Sequence, residues 1–380
     1  MPDNQSLRIL LLGDYSNLHS QLGRTLRSWG HEVTVASMGS GFQNTERDIN
    51  IRRLPGKLGG ALLAADMMWG SLGRHLRGYD IVALQNPNYL PLRPSRLRYF
   101  FDRLRGENRS VFLSCGGTDP LYIRECLDES SPLKYNEYRI GHQQAPFAIT
   151  HRQQLVDYTT PEMNRYCDYI YDHIDGAVTA LYEYDIAVRR RLGSEMVCYG
   201  GLPIDTASLR FVNIPEDLDH VRLFLGRHKG RLSEKGTGLI EDASRIVVDR
   251  LGGRVSLEIV ENIPYTQYIN TMCSSHVLLD QIYSYSPAMN ALIGMAHGLN
   301  VVSGGESDYY DFIGETSNRP VINAPTSLDG LVETLYDVCS HPGQIAQRGR
   351  LSRDFVVKHN DTNIVSARYL EFWKVSAGIV

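Results

Sequence analysis

The chain has no CxxC pair. Its six cysteines, Cys115, Cys126, Cys167, Cys198, Cys273 and Cys339, are scattered over 380 residues. That scatter argues against a zinc ribbon and for reduced thiols in a cytosolic setting. No apolar run approaches the roughly 20 residues that span a bilayer. The opening residues, MPDNQSLRILLLGDYS, lack the basic start and long apolar stretch of a secretory signal. A dominant charge is missing too: the formal net charge of −4 offers no global argument for nucleic acid. Twelve histidines occur, none as HExxH or HxH, so no metal site is expected. There is no GxSxG elbow. GxGxxG and GxxxxGK[ST] are also absent, which counts against a dinucleotide oxidoreductase and a P-loop NTPase.

What remains is a chain able to bury sizeable cores, 42% hydrophobic and 22% charged, whose length favours two domains. LRILLL at residues 7–12 is a continuous apolar run, as a strand buried on both faces would be. Gly13 ends it, Leu18, Leu22 and Leu26 recur at helical spacing, Gly30 closes that helix, and EVTVA at 32–36 reads as the next strand. The β-α-β alternation continues with a helix over 61–76 and strands over 79–84, 110–114 and 176–180. Residues 121–152 have little periodicity and read as an excursion over the active face. The pattern restarts at 221–225 and proceeds through strands at 254–260, 276–280 and 300–303 to helices at 328–340 and 361–374. The expected fold is α/β. Two facing Rossmann-like domains carry parallel sheets with flanking helices, and a C-terminal helix crosses back to the first domain. The first would cover 1–203 plus about 361–380, the second 204–360.

Ligands of open parallel sheets bind beyond the carboxyl ends of the strands. Four loops qualify: Gly13–Ser16, Cys115–Asp119, the loop from Gly226 to Lys235, and the one from Gln281 to Asn290. In the third, Gly226 and Arg227 end a strand, and Lys235 and Gly236 precede a helix. Two cations beside exposed helix amides suit a diphosphate whose charge grows as a glycosidic bond breaks. The competing reading is a solvated basic loop, since His228, Lys229 and Arg231 are also there. In SPAMNALIGMA, Pro287 suits a helix start, and the amides of Ala288, Met289 and Asn290, after Ser286, are free to donate to phosphate. An ordinary buried helix is the alternative.

Gly13 either admits a ligand or makes a tight turn. Asp119, after Gly116-Gly117-Thr118, either accepts from sugar hydroxyls or caps the next segment. Tyr265, Tyr268, Tyr283 and Tyr285 are base-stacking candidates, though such residues more often pack in a core or rim. Residues 93–109 carry six arginines around Leu97, Phe100, Phe101 and Leu104. A peripheral contact with anionic lipid competes there with a surface helix whose apolar face lies on the sheet, the favoured reading.

These residues give the second half a resemblance to group 1 (family 4) glycosyltransferases of the GT-B fold. Gly226, Arg227, Lys235, Gly236 and Ala243 are similar to the family's Gly-Arg, Lys-Gly and helix-ending Ala. Residues 293–302 resemble its EAMAxGxPVV motif. Asp280, Gln281 and Tyr283 resemble the DQ-Tyr signature of a bacterial branch. The resemblance covers most of 221–370 and is loose in the first half.

It implies a retaining, metal-independent transferase that needs no cofactor and uses a UDP- or GDP-type sugar donor. The acceptor would be a surface glycan or lipid-linked saccharide in polysaccharide biosynthesis, at a cytoplasmic location or the inner membrane face. Nucleic acid is not an expected partner. Arg227 and Lys235 would hold the diphosphate, with Lys229 as an alternative because the spacing is long. Arg227, Lys235 and Asp119 are the expected catalytic residues, and Gly13, Gly226, Gly236, Tyr285, Ser286, Ala288, Met289 and Asn290 the expected donor-binding ones. The family's paired glutamates are replaced by Tyr285 and Ile293, and its first-domain histidine is missing at Ser114–Cys115. A non-enzymatic or catalytically weakened relative is therefore the second expectation. An epimerase on the same fold ranks third, since no acid/base pair is visible.

Overall fold

The computed structural model describes residues 6–39, 45–227 and 232–379. In chain order its strands are β1 (Arg8–Leu12), β2 (Glu32–Ser37), β3 (Ile49–Asn50), β4 (Ile81–Leu84), β5 (Ser110–Cys115), β6 (Arg139–Ile140) and β7 (Gln143–Gln144). They continue with β8 (Gly176–Thr179), β9 (Val197–Tyr199), β10 (Val221–Arg227), β11 (Val255–Glu261), β12 (Val277–Leu279), β13 (Asn300–Ser303) and β14 (Ile322–Asn323). Two compact units result. One holds Met1–Glu125, Gln153–Pro203 and Thr362–Val380; the other holds Cys126–Arg152 and Ile204–Asp361.

The first unit is built on a parallel sheet in the order β3-β2-β1-β4-β5-β8-β9. Its inner strands read as unbroken apolar runs because helices cover both faces; Ile9–Leu12 and Ile81–Leu84 are fully buried. The closing helix Thr362–Ser376 returns to this unit. Its Phe372 and Trp373 pack on Phe112 of β5, and Thr362 bonds Thr25 through their hydroxyls at 2.8 Å.

The expected single helix over 61–76 is two helices, Gly56–Trp69 and Ser71–His75. The break falls at Gly70, where a Cβ would lie 1.9 Å from the Asp66 carboxylate, which accepts from Leu72 N at 3.3 Å. The arginine-rich helix Pro94–Glu107 buries Leu97, Phe100, Phe101 and Leu104 against the core. Its Arg96 and Arg103 donate to carbonyls of Gly60, Met67 and Met68. This is the arrangement of the surface-helix reading. Among the described residues, no helix is long and apolar enough to cross a membrane.

The second unit is a parallel sheet in the order β11-β10-β12-β13-β14. The excursion clusters with it. It forms the end of the helix Pro120–Leu127, the β6–β7 hairpin and the helix Pro146–Thr150. Arg139, nearly buried, ties it together by donating to carbonyls of Cys126, Asp128, Leu133 and Gly141. The 16-residue helix Ile345–Asn360 was not evident from periodicity. Gly349 in its second turn packs on the Gly298 carbonyl, 2.2 Å from where a Cβ would stand.

Candidate functional site

In each sheet the strand order reverses once near its start, the place beyond whose strand ends open α/β sheets bind ligands. In the second unit the reversal lies at β10, between β11 and β12. The loops leaving β10 and β12 carry most of the expected donor residues.

Gly236 is left-handed, φ +67°, at the start of the helix Thr237–Leu251. A Cβ there would meet Ile282 at 2.5 Å, so glycine is required on two counts. The same turn is pinned by Ile282 N donating to the Lys235 carbonyl at 3.1 Å. Lys235 Nζ then reaches Asp280 Oδ1 at 2.7 Å. Asp280 is buried and also accepts from Asn290 Nδ2 at 3.0 Å and Ser303 Oγ at 3.4 Å. Asn290 in turn accepts from Tyr268 OH at 2.9 Å. Tyr268 lies over Gly226, where a Cβ would come within 2.4 Å of its ring. Burial raises the Tyr268 phenol well above its usual range, so it stays a donor. One hydrogen-bonded chain thus joins Lys235, Asp280, Asn290 and Tyr268, with Gly226 beneath its end.

Arg227 takes a different course. Its guanidinium pairs with Glu241 on the following helix and, at 3.5 Å, with Glu261. The second pairing follows from register, since Arg227 and Glu261 are neighbours across β10 and β11. Its Nε is buried without a partner. Lys229, with His228 and Arg231, lies outside the described residues.

The helix Met289–Ala296 starts after Ala288, whose extended backbone leaves its carbonyl to accept from Leu292 N at 3.0 Å. Ser286 and Met289 are buried. Tyr285 is buried and its hydroxyl accepts from the backbone N of Lys134. Its ring stacks on Tyr135, 4.7 Å between centroids. It therefore seats the excursion on this unit. Glu306, just past Gly304-Gly305 at the end of β13, went unread in the sequence. Its backbone N donates to the Tyr285 carbonyl at 3.1 Å. Its Oε1 accepts from Tyr135 OH at 2.6 Å and Asn323 Nδ2 at 2.8 Å. A carboxylate thus stands beside Tyr285 although position 285 itself is not acidic; only the strand-Gly-Gly-Glu order hints at it.

In the first unit the reversal lies at β1, between β2 and β4. Gly13, φ +85°, turns the chain after β1. His19 holds that turn: Nδ1 donates to the Gly13 carbonyl at 2.6 Å and Nε2 accepts from Ser114 Oγ at 2.9 Å. Burial pushes its imidazole down to about 4, matching a neutral ring in both bonds. Asp119 is buried and fully engaged, accepting from Tyr122 N and from Tyr171 OH, each at 2.7 Å. That is the geometry of the helix-cap reading, for the helix Pro120–Leu127. Burial raises its carboxyl above the usual range. Among the described residues no group of three or more His, Cys, Asp or Glu side chains is placed to hold a metal ion.

Two α/β units with parallel sheets, the first completed by the returning C-terminal helix, make this a GT-B fold. The fold is shared with sucrose-phosphate synthase from Thermosynechococcus elongatus, at 14% identity and a TM-score of 0.62 over 98% of this chain and all of that one. Anabaena HepE, solved with UDP and glucose, matches at 12% and 0.59 over 97% of this chain and all of its own. The catalytic domain of starch synthase IV from Arabidopsis thaliana, bound to ADP and acarbose, matches at 11% and 0.60 over 98% of this chain and all of that one. No protein-family model and no curated protein matches the chain.

Proposed function

We propose that this protein is a glycosyltransferase. It transfers a sugar from a nucleoside-diphosphate sugar to a saccharide or lipid-linked acceptor, with retention and without a metal. The observation that carries the reading is the Lys235–Asp280–Asn290 chain at the strand-order reversal of the second sheet, beside the left-handed Gly236. An ammonium has three donors, and Lys235 uses one on Asp280. The buried carboxylate orients the ammonium, and the remaining N–H groups serve the diphosphate. HepE with UDP and starch synthase IV with ADP support a nucleoside diphosphate as the ligand of such a fold.

In the reaction the bond from the sugar's anomeric carbon to the diphosphate oxygen breaks. The acceptor hydroxyl attacks from the same face, and its proton passes to a phosphate oxygen. Charge accumulates on the leaving diphosphate, where Lys235 and the amides at Ala288–Asn290 stabilise it. Glu306 supplies a carboxylate to donor-sugar hydroxyls in place of the family's glutamates. The Asp119 carboxylate is taken up by Tyr122 N and Tyr171 OH, so in this reading it holds the start of the helix Pro120–Leu127.

Calorimetric titration of UDP and GDP tests this. Saturable binding of one of them, lost in Lys235→Ala, is expected. No binding of either at millimolar concentration would overturn it. A non-enzymatic relative is the second reading, favoured by Tyr285, whose hydroxyl is already taken by Lys134. Turnover with any sugar nucleotide, abolished by Lys235→Ala, removes that reading.

A further inference from the structure

The helix Gly56–Trp69 is apolar on two sides. Gly59, Gly60, Leu63, Ala64 and Met67 are buried, and the last three join the core that also holds Leu97 and Phe100. A helix lying on the surface should turn polar residues to the water. This one does not. Leu58, Leu62, Ala65 and Trp69 recur at i, i+4, i+7 and i+11, the spacing of a second stripe. Leu58 is 72% exposed, Leu62 50% and Trp69 74%; Leu54, just ahead of the helix, is 61% exposed. Lys57 and Asp66 are the only charged residues of the helix, and Asp66 accepts from Leu72 N.

A row of large apolar side chains on a protein surface marks a place where something docks. What borders the row says what kind of partner fits. At the N-terminal end the Arg53 guanidinium donates to the Gly56 carbonyl at 3.3 Å. On one flank Arg96 donates to the Gly60 carbonyl at 2.9 Å and Arg103 to the Met67 carbonyl at 2.7 Å. At the C-terminal end Arg74 donates to the Trp69 carbonyl at 3.3 Å. The ion pairs nearby belong to Arg77 and Arg103, both with Glu107. Among the described residues Arg53, Lys57, Arg74 and Arg96 have no carboxylate partner. Residues 52–109 hold eleven lysines and arginines against four acids, in a chain whose net charge is −4.

A second copy of the chain would set these cations against each other across a two-fold axis. An anionic bilayer surface meets both features at once. Its hydrocarbon takes the leucines, its interface suits an indole, and its headgroup phosphates answer the unpaired cations. The neighbouring helix Pro94–Glu107 has the charge for this role but not the apolar face, because its leucines and phenylalanines are spent on the core.

We propose that the outer face of the helix Gly56–Trp69, with the cations that border it, docks on an anionic lipid bilayer, the helix lying in the plane of the headgroups. That this brings the protein to a lipid-linked acceptor rests on the transferase reading; the docking itself does not.

Vesicle sedimentation with the full chain tests the surface. The probes are vesicles of phosphatidylcholine alone and of phosphatidylcholine with phosphatidylglycerol at three to one. Binding is expected to the mixed vesicles only, and it should weaken as salt is raised. The paired change Leu58→Gln with Leu62→Gln should weaken it by tenfold or more, and so should Arg53→Glu with Lys57→Glu. All four side chains are exposed, so melting temperatures should hold. Tryptophan emission should shift to the blue on mixed vesicles, and Trp69→Phe should abolish that shift. The proposal falls if the unaltered protein does not sediment with mixed vesicles at low salt, or sediments equally with neutral ones. It falls equally if both paired variants bind as the unaltered protein does. A dimer in light scattering that Leu58→Gln with Leu62→Gln converts to a monomer, with no vesicle binding by either, would give the face to a second copy instead. UDP and GDP titrations on the same samples keep the two readings apart. Vesicle binding without nucleotide binding keeps the docking surface and removes the transferase; the reverse result removes the docking surface alone.

Discussion

The two reversal points share a plan and differ in chemistry. Each lies where a parallel sheet reverses its strand order, and each is opened by a glycine of positive φ, Gly13 in one unit and Gly236 in the other. Beyond β4 the polar groups of Gln85, Asn86 and Asn88 are neutral amides, and several of their buried atoms lack partners. At β10 and β12 they are charged and paired: Lys235 with Asp280, Arg227 with Glu241 and Glu261. The difference follows from burial energetics. An unpaired buried charge costs far more than an unpaired amide, so a charged site must carry its own counter-ions while a neutral one tolerates unpaired atoms. The Lys235 ammonium of the second unit is therefore held by a carboxylate rather than left free.

The largest effect that would break this contrast is at Asp280. Asp280→Ala removes the acceptor of Lys235, Asn290 and Ser303 at once. Removing one partner of a buried ion pair costs about 3–5 kcal/mol. Urea unfolding should show a loss of that order, with nucleotide binding abolished. Gln85→Met in the first unit should show no loss. Equal losses at both positions would mean that the amides too are structural.

Acid should act on both units alike, and by a similar mechanism. His19 and His276 are each pushed down to about 4, mainly by burial. His276 Nδ1 accepts from Arg222 N at 3.2 Å, so it too must be neutral. A depressed folded pKa means the unfolded chain binds the proton first. Stability is then fully present above about 6.5 and falls as pH drops towards 4. For His19 the shift from 6.5 corresponds to about 3 kcal/mol. The raised carboxyls of Asp14 and Asp119 work in the opposite sense, favouring the fold as they take up protons. Urea midpoints from pH 7 to 4.5 should fall, and His19→Gln should flatten part of that slope. A flat profile would place charged imidazoles inside the sheets and undo the assignment.

Gly236 sharpens the comparison by a smaller amount. Gly236→Ala forces a left-handed alanine whose Cβ meets Ile282 at 2.5 Å. About 1–3 kcal/mol of destabilisation is expected in the urea transition. Nucleotide affinity should fall with it, because Lys235 is carried on the same turn.

How much of this was visible beforehand depended on whether the signal was local. Strand-helix alternation was, and the helix Leu328–Ser340 has the expected bounds. The helix Ile345–Asn360 was not, because its middle reads QRGRLSRD and its apolar side is set by what Gly349 touches. Lys235, Asn290 and Gly236 were legible as loop chemistry. Asp280, the partner that Lys235 and Asn290 share, was visible only as part of a signature. That Arg227 turns to two glutamates is a matter of strand register, which no single segment encodes. Tyr285 stood out as a substitute for an acid; its tie to Lys134 joins positions far apart in the chain. The unpaired amides of 85–88 were invisible for the same reason: being unpartnered is a property of the fold, not of the residues.

The smallest effect concerns Arg227. Glu241 and Glu261 hold two of its nitrogens while Nε is buried without a partner, an arrangement that either stores a cation for the ligand or staples β10 to its neighbours. Relaxing the pairing distinguishes the two. If the cation serves a diphosphate, Glu261→Gln should tighten nucleotide binding two- to five-fold, because a partly exposed pair of this length contributes at most about 1 kcal/mol and that competition is lifted. If the pairing is a staple, the same variant should leave affinity unchanged and lower the urea midpoint slightly. Lys235 cannot be probed this way, since its partner is buried and its removal unsettles the whole network. The weaker, more exposed pair thus gives the cleaner measure of how far each cation in this unit is committed to the fold and how far to the ligand.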